Sequence, residues 1–374
     1  MLDAKKLIEV LKDCGAGLFT GVPDSLLSTF SACLMQCYAD DHIVAANEGN
    51  AVGLAIGDYL ATSRPGVVYM QNSGLGNVIN PLTSLADRDV YGIPMILVIG
   101  WRGEPGRHDE PQHIKQGEIT LGQLNILGVP YVILDENSSL DVIKALYSKM
   151  IIRNGPVAIV VKKGALASNW KINSRSQLST LKRELAIEMI VSALPSSSFF
   201  VATTGKAGRE LYEIREKLNQ PQRDFLTVGG MGHASSIALG IARHYTKNWV
   251  VCLDGDGAAL MHMGAMAIIS SQKPSRFLHV ILNNAAHESV GGQPTIADGI
   301  NFELLADSLK YDGYLFANNP FSLAKALSDL EEKQGIWLLE VHLALGARAD
   351  LGRPKSSPEQ NKQSVMSYLS QNEE

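Results

Sequence analysis

Hard oxygen ligands and small, flexible residues stand together in residues 255–284 of this sequence. Gly255-Asp256-Gly257 closes the apolar run that begins at Trp249, and Asn283-Asn284 closes the next apolar run. A carboxylate and an amide carbonyl are oxygens of the kind Mg²⁺ takes from a protein, completing its octahedron with phosphate and water. Gly255 and Gly257 allow a phosphate to approach the backbone. Ala258 leads into a helix expected from about Ala259, whose free N–H groups would face an anion. The chemistry implied is capture of a divalent cation with a diphosphate. A dinucleotide loop carrying an incidental Asp is the rival reading, but its Gly-x-Gly-x-x-Gly fingerprint is missing here.

Other residues carry chemistry less specifically. Glu48 follows an apolar run at 42–46 and opens a stretch rich in Ala and Gly. Taken alone, it reads as a carboxylate stabilised at a helix N-terminus. Asp24, in Val22-Pro-Asp-Ser25, is either a turn former or helix cap or a group that orients substrate and shuttles a proton. His287, just beyond Asn284, is a catalytic candidate for proton transfer or substrate contact, with a structural role as the rival reading.

The elements that must position these residues form two similar series. Apolar runs at 16–22, 42–46, 66–71, 94–100, 131–135 and 156–162 alternate with helical spacing, as at 51–61. The pattern resumes at 198–203, 224–228, 249–253, 277–282, 313–316 and 335–342, with helical spacing at 178–194. Such alternation implies parallel sheets covered on both faces. The fold class expected is therefore α/β, with two doubly wound parallel-sheet domains. Their expected bounds are 1–170 and 181–374, joined by a polar linker at 171–180. Both polar clusters of the 255–284 segment then fall at the carboxyl ends of strands, where ligands bind in open α/β sheets.

The chain has 374 residues, 45% of them hydrophobic and 19% charged, with a net charge of −5. The balance is globular and argues against a broad nucleic-acid surface. Cys14, Cys33, Cys37 and Cys252 form no CxxC or zinc spacing and read as reduced structural thiols of a cytoplasmic protein. Residues 1–6 read as the start of an amphipathic helix, not a signal peptide. No apolar run approaches the roughly 20 residues of a membrane span. A short helix is expected at 361–369, with fraying beyond it.

Gly-Asp-Gly, its spacer and Asn-Asn resemble the cofactor motif of thiamine-diphosphate enzymes, and the fold expected is then the thiamine-diphosphate-binding fold. The resemblance implies that Asp256 and Asn284 bind Mg²⁺ through their side chains and Ala286 through its carbonyl, with Asn283 the ligand if the register shifts by one. Ala285-Ala286 replace the glycine common at this turn. Glu48 matches the carboxylate that hydrogen-bonds the pyrimidine nitrogen N1′ of the cofactor. In Phe225-Leu-Thr-Val-Gly-Gly-Met-Gly-His233, Met231 matches the wedge beneath the cofactor, and the Gly229 carbonyl faces its amino group. Thr203, Thr204 and Gly205 would line the diphosphate pocket. In this family the cofactor lies between domains of two subunits, implying at least a homodimer and leaving a homotrimer or homotetramer open.

Five further segments narrow the resemblance: 21–25, 72–77, 100–103, 287–295 and 352–354. They resemble the branch of 2-oxoacid decarboxylases that converts 3-phosphonopyruvate to phosphonoacetaldehyde and CO₂ in phosphonate (2-aminoethylphosphonate) biosynthesis. The sulfopyruvate branch, or another thiamine-diphosphate decarboxylase or synthase, is the alternative. An anionic substrate calls for converging donors, drawn from Arg102, Arg107, His108, His113, Lys115, Lys206 and Arg209. Lys206 is the preferred phosphonate contact, Asp24, Ser25 and His113 are further substrate contacts, and residues 103–117 are expected to form a mobile loop over the site.

Overall fold

The computed structural model describes residues 1–167, 169–172 and 177–371. Residues 173–176, inside the expected linker, and 372–374, in the expected frayed end, lie outside the described residues. The chain divides into two compact units, Met1–Ser174 with Val290–Gln293, and Arg175–Ser289 with Pro294–Glu374.

The first unit holds a six-stranded sheet of β1 (Phe19–Gly21), β2 (His42–Val44), β3 (Gly66–Gln71), β4 (Met95–Gly100), β5 (Tyr131–Leu134) and β6 (Val157–Val161), in the order β2-β1-β3-β4-β6-β5. Every pairing is parallel. Strands β4 and β6 are buried along their whole length, as a sheet covered on both faces requires. Side chains alternate between two cores. Val67, Tyr69, Ile96 and Val98 join one, while Val68, Met70, Met95 and Leu97 join the other.

The second unit contains β7 (Phe199–Ala202), β8 (Phe225–Leu226), β9 (Val250–Gly255), β10 (Arg276–Asn283), the two-residue strand β11 (Ala286–His287), β13 (Gly313–Ala317) and β14 (Gly335–His342), while β12 (Gln293–Pro294), which pairs with β11, falls on the boundary between the two units. Its six-stranded sheet, again parallel, runs β13-β14-β10-β9-β7-β8. Counted from its own first strand and read from the other edge, this is the strand order of the first sheet. The two α/β units therefore share one topology, as the repeated alternation implied.

Local signals explain the element ends. Asn47 caps the helix Glu48–Thr62 by accepting from the Gly49 N–H, and Ser357 closes a capping box on Pro358–Ser370. Two expectations are corrected. The helix after Gly-Asp-Gly begins at Asp256 itself, as Asp256–Met261, and a second helix, Gly264–Gln272, follows. Residues 103–117 are not an open loop, because Pro111–Ile126 is a helix. Gly103 and Gly117 approach so closely that a Cβ on Gly117 would lie 1.6 Å from the Gly103 carbonyl oxygen. The four cysteines are free thiols, with Cys33 buried and Cys37 exposed on the helix Ser28–Cys37. Among the described residues no helix is long and apolar enough to cross a membrane.

Candidate active site

Glu48 is the first residue of its helix and is only 5% exposed. Its surroundings come from the Asn72-Ser-Gly-Leu-Gly-Asn77 segment, which follows β3. Asn77 Nδ2 donates to Glu48 Oε2 at 2.7 Å. A Cβ on Gly74 would sit 2.6 Å from Glu48 Oε1, so only glycine leaves room for the carboxylate to lie there. Glu48 thus keeps one oxygen anchored at the head of a helix whose Ala51 and Val52 are buried. Gly74→Ala is expected to displace the carboxylate and lower kcat by up to about 10²-fold, with cofactor affinity nearly unchanged. Steady-state kinetics alongside a cofactor titration check this.

A second polar centre occupies the carboxyl edge of the same sheet. Asp24 is fully buried just after β1. It accepts from Gln71 Nε2 at 2.8 Å and from the Leu26 N–H at 2.9 Å. Burial lifts its carboxyl above the ordinary range, with Gln71 and the nearby Arg102 pulling it part of the way back. Arg102 is gripped by Asp109, its Nε lying 2.8 Å from Asp109 Oδ2, and its Nη1 donates to Ser25 Oγ at 2.9 Å. Because the Ser25 oxygen accepts from Arg102, its hydrogen is left to point at another acceptor. His113, in the first turn of Pro111–Ile126, is buried, and its Nδ1 has no hydrogen-bond partner among the described residues. Burial, then Arg102, holds its imidazole below the usual range. Arg102 thus holds Ser25 by a hydrogen bond and acts on Asp24 through its charge. The other cations proposed from the sequence are placed differently: Arg107 pairs with Glu104 and Lys115 with Glu118.

The second unit carries the candidate oxygen ligands. Asp256 is 3% exposed at the end of β9, and burial raises its carboxyl to about 6. What lowers it again is only hydrogen bonding, from Thr295 and from backbone N–H groups including that of Asn284. Among the described residues no basic side chain offsets this buried carboxyl. Asn284 follows β10; its Oδ1 accepts from the Ala286 N–H at 3.1 Å and its Nδ2 donates to Glu288 Oε2 at 2.9 Å. Ala285 turns the chain at φ +55°, the left-handed region that glycine usually fills. The alternative ligand Asn283 is spent elsewhere, donating to Glu340 Oε1 at 2.8 Å. A buried carboxylate without a counter-charge, beside an amide oxygen, is a donor set that fits a hard divalent cation.

Other expected contacts lie around this centre. A Cβ on Gly257 would be 2.8 Å from His287 Cε1. The His287 ring therefore packs on the motif, and burial holds its imidazole down to about 4. Thr203 is buried after β7, Thr204 Oγ1 donates to the Val228 carbonyl at 2.9 Å, and Gly205 takes φ +105° immediately before the helix Lys206–Lys217. Met231 is half-buried between Gly230 and Gly232, with Gly229 just before them. Ala258 and Ala286 are buried. Lys206 is already engaged, its Nζ lying 2.6 Å from Glu288 Oε1. Sequence reasoning missed Asn77, Gly74, Asp109 and Glu288. Asn77, Gly74 and Glu288 stood in segments used only for resemblance, and nothing local marks Asp109.

Comparison with known proteins follows the same division. The thiamine pyrophosphate enzyme N-terminal TPP binding domain matches residues 3–124, and the C-terminal TPP binding domain matches 204–341. The chain is 31% identical over 378 residues to phosphonopyruvate decarboxylase of Streptomyces hygroscopicus, covering 96% of this chain and 92% of that protein. It is 30% identical over 375 residues to phosphonopyruvate decarboxylase of Streptomyces viridochromogenes, with the same coverages of 96% and 92%. Sulfopyruvate decarboxylase of Methanosarcina acetivorans is 28% identical over 381 residues, covering 96% of this chain and 95% of that protein.

Proposed function

The chain belongs to the thiamine pyrophosphate enzymes as a thiamine-diphosphate-dependent 2-oxoacid decarboxylase, and on that premise we propose that it converts 3-phosphonopyruvate to phosphonoacetaldehyde and CO₂ with Mg²⁺. The observation that carries the substrate is the likeness, over 96% of the chain, to the two Streptomyces phosphonopyruvate decarboxylases. The active form is at least a homodimer, as the family resemblance implies. Because the product keeps its carbon–phosphorus bond, the reaction is assigned to phosphonate biosynthesis.

When bound, thiamine diphosphate supplies the carbon nucleophile and the electron sink for loss of CO₂. The residues of this chain bind, orient and move protons. Glu48 is assigned to the pyrimidine nitrogen N1′, where it holds and returns a proton; Asn77 and Gly74 keep it in place. Asp256 and Asn284, with the Ala286 carbonyl, are assigned to the cation, and Thr203, Thr204, Gly205, Gly255, Gly257 and Ala258 to the diphosphate. Gly229 and Met231 are assigned to the face of the rings. Asp24, whose buried carboxyl is raised towards the neutral form, is assigned to proton delivery, and His287 to a contact with the metal loop.

For the substrate anion, Ser25 and His113 are assigned as donors beside Arg102. Lys206 shares its ammonium with Glu288 and Arg102 shares its guanidinium with Asp109, so each would offer an anion only part of its charge.

The assay that tests this measures CO₂ release from phosphonopyruvate, sulfopyruvate and pyruvate, with and without Mg²⁺ and thiamine diphosphate. Phosphonopyruvate is expected to give the highest kcat/KM and to require both additions. A preference for sulfopyruvate, the second reading favoured by the 28% identity to the Methanosarcina protein, would replace the substrate and keep the chemistry. Turnover of none of the three would remove the assignment.

A further inference from the structure

Asn284 can present either end of its amide to a cation, and only the oxygen end binds. An amide carries an acceptor on one side and two donors on the other, whereas an ionised carboxylate only accepts. Glu288 lies four residues on and takes the nitrogen end, with Asn284 Nδ2 2.9 Å from its Oε2. That contact and the Ala286 N–H, which donates to Asn284 Oδ1 at 3.1 Å, favour the same orientation of the amide.

Glu288 is itself clamped. Arg183 Nη1 donates to Oε2 at 3.0 Å, and Lys206 Nζ donates to Oε1 at 2.6 Å. Arg183 is in turn held by a two-pronged pair with Glu210, at 2.7 and 2.9 Å. Arg183 and Glu210 are buried, 8% and 1% exposed. Two cations and two carboxylates balance, so the group carries no net charge into the interior. The residues come from the starts of the helices Arg183–Ala193 and Lys206–Lys217, from within the latter, and from the turn after β11.

We infer that Glu288 is a positioning residue for the divalent cation: it fixes the Asn284 amide with its nitrogen turned to the Arg183–Lys206 clamp and its oxygen kept for the metal. Glu288 does not touch the cation. It acts as outer-shell partners of metal ligands do, by removing the wrong orientation before binding. The inference rests on the assignment of Asn284 as a ligand.

The test is a calorimetric titration of Mg²⁺ into the protein at saturating thiamine diphosphate, which reads affinity independently of turnover. Glu288→Gln removes the restraint at the nitrogen end, because its own amide can donate or accept, and leaves only the Ala286 N–H to orient Asn284. It is expected to raise the Kd for Mg²⁺ by about 10- to 100-fold, while kcat at saturating Mg²⁺ stays within a few-fold. The sign should reverse in an Asn284→Asp background. There the ligand no longer has an N–H to give, the two carboxylates repel, and Glu288→Gln should tighten Mg²⁺ binding. A purely structural role would weaken both backgrounds alike.

If Glu288→Gln fails to fold, Lys206→Met loosens the more exposed end of the clamp and should weaken Mg²⁺ in the same direction. An unchanged Kd in the folded variant overturns the inference. If Asn284→Ala also leaves the Kd unchanged, the metal assignment itself fails. If Asn284→Ala weakens binding and Glu288→Gln does not, only the positioning role is lost.

Discussion

Glu48→Gln is expected to lower kcat by roughly 10²- to 10⁴-fold, the range of a lost general acid–base. Glutamine has the same shape and keeps an oxygen to accept from Asn77 Nδ2, so the contact at 2.7 Å survives. It needs no more room against Gly74 than the native side chain does. What disappears is the capacity to take up and return a proton. Cofactor affinity and thermal stability should therefore stay near wild type while CO₂ release collapses, a combination that unfolding or lost binding does not produce. Wild-type turnover in Glu48→Gln would remove Glu48 from the chemistry.

For Asp256→Ala, the expected loss is cofactor retention. Asp256 is buried with no basic partner among the described residues, and burial has raised its carboxyl to about 6. An isolated buried charge of this kind is costly, and the proposed cation would offset it. Two opposite effects follow. Without metal, the variant should be no less stable than wild type, because an uncompensated carboxylate has gone. With Mg²⁺ and thiamine diphosphate, wild type should gain about 2.7 kcal/mol at a hundredfold excess over Kd, and the variant should gain almost nothing.

Differential scanning calorimetry with and without both additions reads each effect. The pH dependence has a defined sign. A carboxyl raised in the folded state binds more protons folded than unfolded, so its contribution to metal-free stability falls as pH rises from about 4 to about 6. Asp256→Asn should lack that slope. A metal-dependent stabilisation of Asp256→Ala equal to wild type would contradict the assignment.

These two variants act on opposite halves of the chain, at positions whose residue types and neighbours in sequence are informative on their own. Glu48 stands after a strand and at the head of a helix, and Asp256 stands between glycines at a strand end. Both are legible because strand-to-helix junctions leave local marks: apolar runs, a change of period and small residues at the turn. The sheets are legible for the same reason. β3 and β14 have the bounds read from their apolar runs, 66–71 and 335–342.

The surroundings of the candidate ligands and acids are not legible in this way. Asn77 reaches Glu48 across 29 positions and Arg183 reaches Glu288 across 105, and no local period encodes such pairs. The 103–117 segment misleads because its mixed charges and glycines look like a flexible loop. In the fold, the charges pair (Arg102 with Asp109, Glu104 with Lys162) and the glycines permit a close backbone approach.

By itself, then, the sequence determined the two α/β units, the strands within them and the residue types at the strand ends, because each depends on neighbours a few positions away. Only the tertiary structure decided which distant side chains hold those residues: the Gly74 and Asn77 cradle of Glu48, and the Arg183 and Lys206 clamp on Glu288. Such contacts are set by how strands order in a sheet and where helices dock on it, which is a property of the packed chain and not of any stretch of it.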